Sequence, residues 1–128
     1  MTTITTIRPE TERDAATTVQ LGCVLALVLL HLVQVAAALA GLEPHPPADV
    51  VPMIVAMAAL GVAAVPALLA GERVGQYLVA GFALVSMVGM GPHKLFLDNG
   101  TTIAPVALLG FAMAVTVVVA AHRNLRSA

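Results

Sequence analysis

The sequence predicts an all-α integral membrane protein, a four-helix transmembrane bundle with both termini cytoplasmic, and three observations predict it. Hydrophobic residues make up 59% of the 128 and charged residues only 10%, against roughly 25% charge in soluble domains. The apolar residues fall into four runs, about 19–42, 50–70, 74–91 and 102–121, each close to the ~20 residues that cross a bilayer as a helix. The basic residues sort by side. Arg8, Arg13, Arg73, Arg123 and Arg126 lie with the termini and only Lys94 lies opposite. Because Lys and Arg are retained on the cytoplasmic side, this places the ends inside a multi-pass protein of the cell membrane.

The same composition excludes other classes. A formal net charge of -1 supplies no basic field for nucleic acid. The single cysteine, Cys23, allows no intramolecular disulfide and no paired-cysteine motif. With no tryptophan and one tyrosine, Tyr77, the aromatic belt that often marks membrane interfaces is nearly missing.

Residues 1–18 read as a flexible cytoplasmic tail, rich in threonine, with Pro9 opposing a continuous helix. Asp14 to Thr18 offers helix-capping side chains, so the first helix is expected to start there. A single membrane domain follows over 19–122, and 123–128 forms a short cytoplasmic tail. In the first span, Gln20, Cys23, Leu27, His31, Gln34 and Ala38 share one face at helical spacing. That face is expected to point at other helices, because a hydrogen-bonding group turned towards lipid is costly. The small residues Ala38, Ala40 and Gly41 also match a signal-peptidase site after an apolar core, in which case only three spans would persist.

Glu43 to Asp49 is a proline-rich acidic turn. The second span has Pro52 in its first turn and Pro66 near its far end, where a kink is expected. Its small residues, including Ala56, Ala59, Gly61, Ala63 and Ala64, would let another backbone come close. Gly71 to Arg73 is a tight turn. The third span ends at Gly91-Pro92, and Leu95-Phe96-Leu97 beyond it suits a short interfacial segment before the Asn99-Gly100 turn. The fourth span carries Pro105 in its first turn and a Gly110-x-x-x-Ala114 pair that marks a packing face.

Chemistry has few places to sit. His31, with Gln20 and Gln34, forms an intramembrane polar seam. Ionisable groups at such depth are functional candidates by default, although His31 would equally serve helix packing by hydrogen-bonding Gln34, a backbone carbonyl or Ser86. Haem would need a second axial ligand at the depth of His31, and His45 and His93 lie nearer the ends of their segments. Met53, Met57, Met87, Met90 and His93 form a candidate metal set, since thioether and imidazole suit Cu(I), while methionine also fills gaps between helices. Glu43, His45, Asp49 and Asp98 form a polar cluster in the outer loops. No P-loop, HExxH or nucleophile–base motif occurs and no carboxylate lies in any span, so the motifs disfavour an enzyme.

The expected function is that of a non-enzymatic accessory or assembly subunit. It would act through helix packing in the lipid bilayer with a membrane-protein partner or as a homo-oligomer. The alternatives are a small proton-coupled transporter or channel using His31, and a haem- or copper-binding membrane protein, although the sequence requires no cofactor.

Overall fold

The computed structural model describes residues 10–96 and 100–127, with side chains over 15–91, 93–96 and 100–127. It is all-helical among these residues. The four long helices are α1 (Glu10–Ala40), α2 (Val51–Leu69), α3 (Arg73–Gly89) and α4 (Gly100–Arg126), with 3-10 turns at Ala48–Val50 and Pro92–Phe96. All four regions are long and apolar enough to cross a membrane.

The helices close into a ring. α1 packs on α2 and α4, α3 packs on the same two, and α1 meets α3 only narrowly across the middle. The core is a column of small and branched side chains, including Val24, Leu27, Ala64, Val79, Ala83, Ala114 and Val117, wrapped around the large ring of Phe82. Around it stands an outer surface of exposed Leu, Val and Met, far more apolar than water-facing helices carry.

Two of the helix ends follow from single glycines. Gly41 adopts φ 64° and Gly71 φ 71°, a left-handed conformation that costs glycine little. In both places the following amide reaches back to the helix, Leu42 N–H to the Ala37 carbonyl (2.9 Å) and Glu72 N–H to the Ala67 carbonyl (3.2 Å). Each glycine thus closes a Schellman cap that satisfies carbonyls otherwise left over. Gly41, part of the small-residue pattern noted above, is the residue that ends α1.

Close approach explains other glycines. A Cβ on Gly75 would collide with the backbone of Ala67 and Leu68, so α3 starts in direct contact with the end of α2. A Cβ on Gly61 would meet Val28 at 2.5 Å and Phe82 at 2.9 Å, which makes Gly61 the notch through which α1 and α3 approach α2. On Gly110 it would run into Met90 Sδ.

Several boundaries differ from the sequence reading. α1 begins at Glu10, upstream of the capping residues Asp14 to Thr18, so half of the expected tail is helical. Pro9 lies outside the described residues. α4 begins at Gly100, which places Pro105 inside the helix beyond its first turn, where it removes the bond to the Thr101 carbonyl. Pro66 lies in the last turn of α2. The segment after α3 forms a 3-10 turn that packs on α4, with Phe96 89% exposed. Leu97, Asp98 and Asn99 lie outside the described residues.

Candidate functional site

The interior holds three buried polar side chains among the described residues, Gln20, His31 and Ser86, in an otherwise apolar core. They form two layers. In the first, in the N-terminal half of α1, Gln20 is fully buried and its Nε2 donates to Gln76 Oε1 on α3 at 2.8 Å. Its own Oε1 accepts from Asn124 Nδ2 on α4 at 3.3 Å. An amide carries both donors and acceptors, so one glutamine can serve two partners at once. This layer ties three helices together and shows that the N-terminal half of α1, the start of α3 and the end of α4 meet at one end of the bundle. We call it the terminal end. Exposed Arg73, Arg123 and Arg126 belong to the same helix ends.

The second layer lies eleven residues further along α1, about 16 Å at 1.5 Å per residue. His31 is only 4% exposed. Its Nε2 lies 3.3 Å from Ser86 Oγ on α3, and the Ser86 hydroxyl donates to the Phe82 carbonyl one turn back at 2.9 Å. The Phe82 ring stands edge-on to the imidazole, with centroids 5.8 Å apart. No protein group among the described residues meets His31 Nδ1. Between the two layers, Val24, Leu27, Val79 and Phe82 are fully buried and form an apolar plug.

The seam expected on α1 therefore divides. Gln20 and His31 enter the bundle, as their face on the helical wheel predicted, whereas Gln34 is half-buried and Cys23 packs at the edge of the core. Sequence reasoning included Ser86 among partners for His31 but missed Gln76 and Asn124. Gln76 lies at the start of the third span, and Asn124 lies just beyond the fourth, in the residues read as a tail, which the structure makes the last turn of α4.

The candidate metal residues are spread over inside and outside. Met90 is buried against Gly110, Met57 and Met87 flank the core, and Met53 and His93 are exposed. Among the described residues no group of three or more His, Cys, Asp or Glu side chains is placed to hold a metal ion. In the outer-loop cluster, His45 Nε2 lies 3.3 Å from Glu43 Oε1 and its Nδ1 2.9 Å from the Pro46 carbonyl. That arrangement is an ion pair when the ring is protonated. Asp49 is exposed in the 3-10 turn before α2, and Asp98 lies outside the described residues.

Two hollows open on the surface. One of about 150 Å³ lies beside His45 and Pro46 against Ala38 of α1. The other, an open groove of about 480 Å³, runs between the start of α1 and the end of α4, from Val115 and Val119 to Arg123. Both are peripheral, and neither is lined by His31 or Ser86.

Fold and site together define a class, an all-helical protein with four helices long and apolar enough to span a membrane. No protein-family model, no curated protein and no solved structure matches the chain.

Proposed function

We propose that the chain is a four-span protein of the cell membrane, with both termini cytoplasmic, that works as a non-enzymatic accessory or assembly subunit through lateral helix packing. The observation that carries this reading is the unequal use of small residues. The Gly110/Ala114 face of α4 is buried within the chain's own bundle, so it is already occupied. On α2, by contrast, Pro52, Ala56, Ala59, Ala63 and Pro66 recur every three or four residues and are all exposed. A smooth stripe of this kind lets another helix approach closely in lipid, where packing rather than hydrophobicity drives association. The arginines at the terminal end support the cytoplasmic placement of the termini.

The test is native mass spectrometry of the full chain released from lipid nanodiscs. A defined oligomer or a stoichiometric co-purifying membrane protein is expected, and Ala59→Trp should abolish it while leaving the helical content intact. A monomer with nothing bound, unaffected by Ala59→Trp, would overturn the reading.

A further inference from the structure

Hydrogen-bond accounting around His31 reaches beyond a packing role. A serine hydroxyl has one hydrogen. Ser86 directs it to the Phe82 carbonyl at 2.9 Å, the usual back-bond of a serine within a helix. Towards His31 the oxygen can therefore only accept, and the ring nitrogen facing it, Nε2 at 3.3 Å, must be the N–H. In the neutral imidazole the other nitrogen, Nδ1, then carries the lone pair. That acceptor is buried and meets no protein group among the described residues.

What can meet it is limited by the surroundings. α2 has no hydrogen-bonding side chain between Val51 and Leu69 apart from methionine sulfur, and Thr101 and Thr102 on α4 are exposed. The next polar side chain along α1 is Gln34, three residues on. Residues at this spacing are neighbours on a helix surface, about 5–6 Å apart at Cβ. Gln34 is half-buried, and it lies on the side of His31 nearer the Glu43–Asp49 loop along the chain. Towards the terminal end the fully buried plug of Val24, Leu27, Val79 and Phe82 separates His31 from the amide layer. A metal ion would need several donors together, whereas a water molecule needs two to four polar partners and a small space.

We propose that His31 Nδ1 is the acceptor of a bound water, shared with the Gln34 amide and reached only from the loop end of the bundle. Ser86 is the positioning residue, because it fixes the tautomer that turns a lone pair, rather than an N–H, towards this site. The inference is independent of the proposed accessory role, since it concerns the interior and not the outer stripe of α2.

Solid-state NMR of the full chain in phosphatidylcholine bilayers, with ¹⁵N-labelled histidine, tests it. His45→Gln, His93→Gln and His122→Gln together leave His31 as the sole ring, and the unsubstituted chain checks that the fold is unchanged. The expected spectrum has a bare Nδ1, a protonated Nε2 and polarisation transfer from water protons to Nδ1. Gln34→Leu should remove that transfer and keep the tautomer, while Ser86→Ala should mix the two tautomers. A protonated Nδ1, the absence of transfer from water, or a transfer that survives Gln34→Leu unchanged would each overturn the proposal. The first two readings use the native core and do not depend on any core variant folding.

Discussion

At the terminal end of the bundle Gln20, Gln76 and Asn124 satisfy one another across three helices, while at the loop end His31 and Ser86 share one bond and leave a ring nitrogen over. Both layers sit in the same ring of helices, so the difference lies in side-chain chemistry. Amides have matched donors and acceptors and can close a network. An imidazole held by a hydroxyl that has already spent its hydrogen cannot. The terminal layer is therefore built for cohesion and the loop-end layer retains unused hydrogen-bonding capacity.

The strongest way to break this contrast acts beneath the terminal layer. Gly75 precedes Gln76 and holds α3 against the backbone of Ala67 and Leu68, so Gly75→Leu is expected to cost about 3 kcal/mol through overpacking. Gly81→Leu, whose added Cβ meets open space, is the control. Equal denaturation midpoints for the two variants in mild detergent would show that the close approach does not matter. Next in size is Gln20→Leu, which strands both amide partners and is expected to cost about 1–2 kcal/mol. A double-mutant cycle with Gln76→Leu should return a coupling energy, and additive costs would argue against the shared bond.

Ser86→Ala sharpens the comparison from the other side. It removes one interhelical bond of 3.3 Å, along with the back-bond to the Phe82 carbonyl within α3, and is expected to cost about 0.6 kcal/mol, the average for interhelical bonds in membrane bundles. A cost matching that of Gln20→Leu would erase the distinction between the layers. Smallest of all is His45→Gln. It breaks the contact with Glu43, whose side chain is 77% exposed, and the local one with the Pro46 carbonyl, and surface changes of this kind stay within about 0.5 kcal/mol. A larger drop in the midpoint would mean that the loop clamps the end of α1.

Much of the fold was legible because its signals are local. Apolar runs of the right length gave the four helices, and Gly41 and Gly71 sit where helices stop for a reason that only backbone geometry imposes. Boundaries were less legible. α1 reaches back to Glu10 because a helix that packing has already nucleated propagates readily, here through the charged residues Glu10, Glu12, Arg13 and Asp14, and capping side chains at Asp14 to Thr18 do not prevent it. The candidate site was half legible. Gln20 and His31 stand out as polar positions on one apolar helix, but Gln76 and Asn124 lie at span ends, where polar residues are ordinary.

By itself, the sequence determined the number of helices, their apolar length and the inward bias of Gln20 and His31, since periodicity and polarity are properties of each segment alone. Only the tertiary structure decided which groups meet. It paired His31 with Ser86 and closed the amide layer through Asn124. It also turned Gly110 and Ala114 inward while leaving the small residues Ala56, Ala59 and Ala63 of α2 outside. The physical reason is that the inner and outer faces of these helices are equally apolar. Hydrophobicity then marks no buried side, and shape and a few hydrogen bonds choose it.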